Sequence, residues 1–187
     1  MEDRRKVLIN LMRDPDETVR RSAAEALERL EGLENLDAQL DKYRTGDKTL
    51  KLRVIYAMGK LRADSCLPVL IHAMAFDDED LQAAAIRVLG ELADVRTLQA
   101  LVAGLNAPSL TIQTLTVEAL ANFRHRQLVP LLIPILQREN KYLVMATLTT
   151  LAKLNAAAAL ESIIPLTRHS DPDVRRTAAE VLGEIQT

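Results

Sequence analysis

Three histidines and one cysteine are the side chains in this 187-residue sequence that could bind a transition metal or act in nucleophilic catalysis. His72, His125 and His169 are separated by 53 and 44 residues, whereas helical metal motifs place two histidines four residues apart. Cys66 begins a predicted helix, where a thiol pKa can be lowered, but no base is adjacent to it in the sequence. We therefore expect surface histidines and a packed, inert thiol.

Acidic residues cluster in the run from Asp77 to Asp80. This run lacks the turn glycine and the spaced ligands of a calcium loop. It lies at the start of a predicted helix, where the helix macrodipole favours negative charge. The sequence also contains no glycine-rich phosphate loop, nucleophile elbow or catalytic-triad signature. It therefore predicts no catalytic residue, no cofactor and no metal site.

The elements that carry these residues repeat along the chain. The segment 14–25 (DPDETVRRSAAE) returns at 171–180 as DPDVRRTAAE, and the matched valines Val19 and Val174 are 155 residues apart, or five periods of 31. If the period is 31 residues, the positions that lie 31, 62, 93 and 124 residues after Val19 should also be apolar, and all of them are. The two columns are Val19, Leu50, Leu81, Ile112, Leu143 and Val174, and Leu27, Met58, Leu89, Leu120, Leu151 and Leu182.

A residue that favours the helix N-cap stands three positions before each member of the first column. Its side-chain oxygen can accept a hydrogen bond from an unpaired amide of the first helical turn. Each cap is expected to open the second helix of a helix pair, with roughly 13 to 15 residues and one apolar stripe. Small residues twelve positions after five of the caps, such as Gly90 and Gly183, predict close packing between neighbouring helices. The caps are Asp16, Asp47, Asp78, Ser109, Asn140 and Asp171.

The first helix of each pair is predicted from a second apolar pattern. Leu67, Leu70 and Met74 follow the spacing of an amphipathic helix. Pro134 and Pro165 fall inside such helices, and each is expected to kink its helix because proline cannot donate the amide hydrogen bond.

Composition and charge exclude several classes of protein. Hydrophobic residues make up 48% of the chain and aromatic residues 3%, and six glycines and seven prolines are few for a β-sandwich. The formal net charge of −2 gives no bulk attraction to nucleic acid or to an anionic membrane. No apolar run approaches the length of a membrane span, and the N-terminus has no signal-peptide pattern. We expect a soluble cytoplasmic protein in a reducing compartment.

The repeated pattern resembles the HEAT-like repeats of phycobilisome lyases, from about residue 4 to residue 186. The resemblance implies an all-α fold, a right-handed α-solenoid (α-α superhelix) of six HEAT-like helical hairpins whose second helices line the concave face. Such repeats occur in scaffolds, adaptors and chromophore lyases. The resemblance therefore also allows a bilin (phycobiliprotein) lyase or isomerase subunit, which would need a chromophore.

The repeats predict one HEAT-repeat domain over residues 1–187. Gln186 and Thr187 end the chain without a Gly or Pro terminator, which is expected where a chain is truncated or continues into another domain. The expected repeats are residues 1–32, 33–63, 64–94, 95–125, 126–156 and 157–187.

The exposed side of the second helices is the predicted site of function. Positions five and nine residues after each cap point away from the buried stripe. Near the middle of the array these positions and their neighbours include aromatic, methionine and arginine side chains, which are enriched in the centres of interfaces. We predict a scaffold or adaptor that binds a partner protein or peptide. A nucleic-acid-binding function is a further alternative, disfavoured because acidic and basic residues balance. The predicted contact residues are Leu52, Tyr56, Arg87, Glu118, Tyr142 and Met145.

Overall fold

The computed structural model describes the backbone of residues 2–186 and the side chains of residues 3–186. Every regular element in that range is a helix and none is a β-strand, which confirms the all-α prediction. Odd-numbered α-helices are the first helices of the predicted pairs, and even-numbered α-helices are the second. They are α1 (Glu2–Leu11), α2 (Glu17–Glu34), α3 (Leu36–Thr45), α4 (Lys48–Leu61), α5 (Leu67–Ala73), α6 (Glu79–Leu92), α7 (Leu98–Ala103), α8 (Leu110–Leu120), α9 (Val129–Leu132), α10 (Lys141–Lys153), α11 (Leu160–Ile163) and α12 (Pro172–Glu184).

All six predicted N-caps are confirmed. Each cap has an extended backbone, and its side-chain oxygen accepts a hydrogen bond from one or two amides two or three residues later. The distance from the Asn140 side chain to the Leu143 amide, for example, is 3.0 Å. The even helices therefore begin in the register that the sequence predicts.

The even helices end at a left-handed residue in four of the six pairs. Arg62, Ala93, Arg124 and Asn155 have φ angles of 51°, 50°, 49° and 47°, and they are again 31 residues apart. A left-handed residue cannot continue a right-handed helix. The predicted length is wrong for α2, which has 18 residues because Glu31, at the corresponding position, stays helical. It is also wrong for α8, which has 11 residues and continues as a 3-10 turn.

The odd helices change type at their internal prolines. α9 ends two residues before Pro134 and α11 two residues before Pro165, and each continues as a 3-10 segment. Proline has no amide hydrogen for the α-helical bond, so the predicted kink is a change from α to 3-10 geometry. The 3-10 segments are Asp64–Cys66, Val95–Thr97, Gly104–Asn106, Ala121–Phe123, Arg126–Leu128, Ile133–Gln137, Ala157–Ala159 and Ile164–Arg168.

The chain divides into two compact units, Met1–Leu70 (unit 1) and Ile71–Thr187 (unit 2). In unit 1, α1 packs on α2, α3 packs on α4, and α2 packs on α4. Ile55 and Met58 are fully buried on α4. The assignment of all 187 residues to one domain stays a prediction.

In unit 2 the even helices pack in chain order, α6 on α8, α8 on α10 and α10 on α12. Leu89, Leu120 and Leu151, from the second column of the sequence pattern, are fully buried in their core. A polar contact also joins neighbouring helices, since the buried hydroxyl of Thr150 donates to the Val117 carbonyl at 3.2 Å. The 31-residue register therefore gives the core of unit 2.

The small-residue column marks close packing at Gly90 but not at Gly183. A Cβ atom at Gly90 would lie 2.7 Å from the Cβ and 2.9 Å from the Cα of Ala119 on α8. A Cβ atom at Gly183 would meet no heavy atom within 4 Å. The prediction is thus confirmed at Gly90 and wrong at Gly183, because none of the described helices packs against that position of α12.

Candidate partner-binding surface

The even helices of unit 2 expose one continuous set of positions, two, five and nine residues after each cap, which we call the unit 2 face. None of these twelve residues is buried, and the four at nine residues after the cap are all exposed. The buried stripe lies on the opposite side of the same helices. The residues of the unit 2 face are Asp80, Ala83, Arg87, Thr111, Thr114, Glu118, Tyr142, Met145, Thr149, Asp173, Arg176 and Glu180.

Tyr142 is the most exposed of the large hydrophobic side chains in the described part of the chain, with 67% of its surface accessible. It lies in the first turn of α10, and Met145 follows one turn later as a half-buried side chain. The ammonium group of Lys141 lies over the Tyr142 ring, 5.4 Å from its centroid. An aromatic ring and a methionine therefore stand together on a face whose other α8 and α10 residues are mainly threonines.

Lys141 is held in place by two carboxylates at the start of α12. Its ammonium group donates to Asp171 at 3.0 Å and to Asp173 at 3.3 Å. The hydrogen bond from Lys141 holds the pKa of Asp171 below its ordinary value, and the same bond raises the pKa of Lys141. The pair links the first turns of α10 and α12 and positions the cation beside the Tyr142 ring.

Changing Asp171 to asparagine tests this charge pair, because asparagine caps a helix as well as aspartate but carries no charge. The folded pKa of Asp171 is lowered, so its charge stabilises the fold above the unfolded pKa and this contribution is lost as the pH falls through the folded value. We expect the wild type to be more stable than Asp171→Asn at neutral pH and the difference to disappear as the pH falls through the lowered pKa of Asp171. Urea unfolding followed by circular dichroism across the pH range measures it. A difference that does not change with pH would assign the effect to the cap hydrogen bond.

Arg87 and Glu118 occupy matched positions on α6 and α8, and both are exposed. Neither forms an ion pair with any of the residues that the structure describes. Arg176, on α12, is instead paired with Glu180 at 3.1 Å and approaches Asp173 at 4.0 Å. Arg87 and Glu118 are therefore the charged groups of the unit 2 face that are open to a partner's charges.

Unit 1 carries the two remaining predicted contact residues. Leu52 and Tyr56 lie one turn apart on α4, and Leu52 is half-buried whereas 46% of the Tyr56 surface is exposed. Tyr56 is thus a second exposed aromatic side chain on an even helix. All six predicted contact residues are at least partly accessible, and their role in binding stays a prediction.

Leu110 is an exposed apolar residue that the sequence-based prediction missed. It is the first residue of α8, and 48% of its surface is accessible. Leu110 lines an open depression of about 580 Å³ with the loop Gln137–Asn140, which leads directly into α10 and Tyr142. The repeat contains the signal for this residue: the same position is charged in four other repeats and a proline in the sixth. The residues there are Glu17, Lys48, Glu79, Lys141 and Pro172.

The cysteine and the three histidines are not among the residues of the unit 2 face. Cys66 is fully buried, as predicted for a packed thiol, and burial raises its pKa. His72 is exposed, and His125 and His169 are half-buried in loops, so the predicted surface position holds fully for His72 and in part for the other two. The Nδ1 of His169 accepts a hydrogen bond from the Asp171 amide at 3.0 Å. The Nδ1 of His125 is buried with no hydrogen-bond partner among residues 2–186.

The described part of the chain lacks two further kinds of feature. Between residues 2 and 186, no group of three or more His, Cys, Asp or Glu side chains is placed to hold a metal ion. No helix in the same range combines the length and apolar character needed to cross a membrane.

Comparison with known proteins gives a consistent fold. Models of HEAT repeats match residues 36–121 and 102–183, and a single HEAT-repeat model matches residues 5–30. No curated protein sequence matches the chain significantly. The complex of CpcE and CpcF of phycocyanin lyase from Nostoc sp. PCC7120 is similar at 22% identity and a TM-score of 0.56, covering 97% of this chain and 76% of that one.

Two further solved structures are similar over almost the whole chain. A HEAT-like repeat protein from the archaeon Thermococcus onnurineus NA1 has 18% identity and a TM-score of 0.55, covering 97% of this chain and 86% of its own. A designed armadillo repeat protein in complex with the peptide (KR)4 has 15% identity and a TM-score of 0.60, covering 96% and 98%. These likenesses confirm the predicted fold class of an α-solenoid built from helix pairs.

Proposed function

This chain belongs to the HEAT-repeat family, and from that premise we propose that it is a binding protein, not an enzyme, and that it holds a peptide segment of a partner protein on the unit 2 face. The observation that carries the proposal is the exposure of Tyr142 beside Met145, with the unpaired Arg87 and Glu118 on neighbouring helices. An aromatic anchor surrounded by groups able to form ion pairs is the usual composition of an interface centre.

The chemistry of the face suggests the kind of segment that it binds. Tyr142, Met145 and Leu110 offer apolar surface, and Lys141 behind the tyrosine ring is already neutralised by Asp171 and Asp173. Arg87 and Glu118 present opposite charges, so a segment with both an acidic and a basic residue beside an apolar one would satisfy them. We propose the same kind of contact for Leu52 and Tyr56 of unit 1.

Two of the structures that share this fold contain bound partners, which supports the proposal. The designed armadillo protein binds the peptide (KR)4, and CpcE and CpcF form a complex with each other. Stacked helix pairs provide extended surfaces on which such contacts can be built. A cytoplasmic location stays part of the proposal.

The test is capture of a partner by immobilised protein from a lysate of the native source. We expect one or two proteins retained near stoichiometry by the wild type and a loss of roughly tenfold or more with the double variant Arg87→Ala and Tyr142→Ala, because aromatic and arginine anchors dominate binding energies. A matched control removes one apolar and one arginine side chain elsewhere on unit 2, namely Val95→Ala and Arg168→Ala, both of which are exposed.

Each outcome of the capture experiment has a definite meaning. Equal retention by all three proteins would place the binding site elsewhere, and no specific retention by the wild type would contradict the proposal. Retention of a coloured tetrapyrrole or a phycobiliprotein, detected by visible absorbance, would favour the bilin lyase alternative. Helical melting curves of both variants should match the wild type, since none of the substituted side chains is buried.

A further inference from the structure

Unit 2 contains a second concave surface, which does not include any residue of the unit 2 face. It is a groove of about 600 Å³ at the turns that connect even helices to the following odd helices. One wall is formed by Val129, Pro130 and Ile133 of the fifth repeat, and the other by the segment 154–158 that leads into the sixth. Its volume is in the range of sites that bind small molecules or a few side chains.

Two residues that line the groove are smaller than their counterparts in the two preceding repeats. In the 31-residue register, Ala157 and Ala158 correspond to Val95 and Arg96 in the fourth repeat and to Arg126 and Gln127 in the fifth. Alanine leaves open the space that a longer side chain would occupy. Both alanines are exposed and line the groove, whereas Ala156 is buried beneath them.

The polar side chains that line the groove are one cation and two neutral amides, Arg126, Asn155 and Gln186. Arg126 lines the groove, and it has no ion-pair partner among the described residues. The Oδ1 atom of Asn155 already accepts the Gln186 amide at 2.8 Å, which leaves the amide hydrogens of the Asn155 side chain for an acceptor. The lining contains no carboxylate. An occupant therefore needs acceptor groups of negative charge next to an apolar body.

We propose that this groove, which we call the alanine groove, is a second docking site that binds an acidic segment of a partner protein with leucine-like side chains between its carboxylates. The apolar side chains contact Val129, Pro130 and Ile133, and a carboxylate pairs with Arg126. The charge complementarity favours an acidic segment, because a basic segment would meet the unpaired guanidinium of Arg126 and no carboxylate in the lining. The site is independent of the binding of any partner by the unit 2 face.

Fluorescence anisotropy of labelled hexapeptides on the full chain tests the proposal. The probe has two leucines flanked on each side by two aspartates, and two controls replace the aspartates by lysines or the leucines by serines. We expect saturable binding of the probe and much weaker binding of both controls. Equal binding of all three peptides, or no binding of the probe, would overturn the proposal.

Two variants locate the binding. Arg126 is exposed, and Arg126→Gln keeps a polar side chain but removes the charge, so it should weaken probe binding about fivefold by removing one ion pair. The double variant Ala157→Val and Ala158→Arg restores the residues of the fourth repeat and fills the groove, so binding should fall to the level of the serine control. Arg87→Ala with Tyr142→Ala should leave it unchanged.

The alternatives are distinguished by the same set of proteins. Unchanged binding by the filled variant would place the peptide elsewhere and overturn the proposal. If the variant with the filled groove has lost its helical melting transition, the Arg126→Gln variant alone tests the proposal. Unchanged affinity of that variant for the probe peptide would contradict the proposal. If Arg87→Ala with Tyr142→Ala loses partner capture but keeps binding to the probe peptide, the two sites act independently, as proposed.

Discussion

Replacing Leu120 by alanine should lower the free energy of unfolding by about 3 kcal/mol, the largest effect that we expect from a single core substitution. Leu120 is the last residue of α8 and is fully buried, and α8 packs between α6 and α10. Removal of the side chain costs its transfer free energy and leaves a cavity between helices that cannot close without moving both neighbours. Urea unfolding followed by far-ultraviolet circular dichroism measures the change.

The matched control is Leu110→Ala at the other end of the same helix. Leu110 has about half of its surface in solvent, so its removal loses less burial and leaves no enclosed cavity. We expect a cost below about 1 kcal/mol. Equal destabilisation by the two substitutions would mean that Leu110 is not the accessible residue described above. If Leu110→Ala remains as stable as expected, the same variant can be used in the capture experiment. We expect it to retain less of the partner protein than the wild type.

Gly90→Val should destabilise the protein by about 2–3 kcal/mol through overpacking. The first added atom would lie 2.7 Å from the Ala119 Cβ and 2.9 Å from its Cα, and a backbone atom cannot move aside as the tip of a flexible side chain can. The helices α6 and α8 would have to separate, which weakens the contacts along their whole interface. Thermal melting and urea unfolding should both show the loss.

Gly183→Val provides the control in the same column of the repeat. A Cβ atom there meets nothing within 4 Å, and the residue is exposed near the end of α12. Valine has a slightly higher helix propensity than glycine, so stability should stay within about 0.5 kcal/mol of the wild type. Comparable losses at both glycines would contradict the prediction that the close contact with Ala119 causes the loss at Gly90.

The two docking surfaces proposed for unit 2 differ in the way that the repeat creates them. The unit 2 face uses positions that lie opposite the buried stripe in every repeat, and Tyr142 occupies one of them where the other repeats have threonine or aspartate. The alanine groove is lined by Ala157 and Ala158, which are smaller than their counterparts in the two preceding repeats. Variation on a fixed register is an economical route to specific surfaces in repeat proteins, because the buried columns stay unchanged.

Much of the fold could be predicted because the interactions that define it are local. The N-cap bonds of Asp16 and Asn140 join residues two or three positions apart, and the apolar columns follow from the geometry of a single helix. The predicted contact residues are accessible for the same reason, since a position opposite the buried stripe is exposed whichever helix carries it. Met145 is half-buried although it lies opposite the buried stripe, and this partial burial depends on neighbouring side chains that the pattern of one helix does not describe.

The sequence by itself therefore determined the helices, their 31-residue register, the caps and the buried columns. Only the tertiary structure decided that Gly90 touches Ala119 while Gly183 touches nothing, and that Lys141 reaches across to Asp171. It alone revealed the alanine groove, whose lining combines residues of two helix pairs. These features depend on the distance between elements that are far apart in the chain, and that distance is set by the packing of all the intervening side chains, which no local pattern of residues encodes.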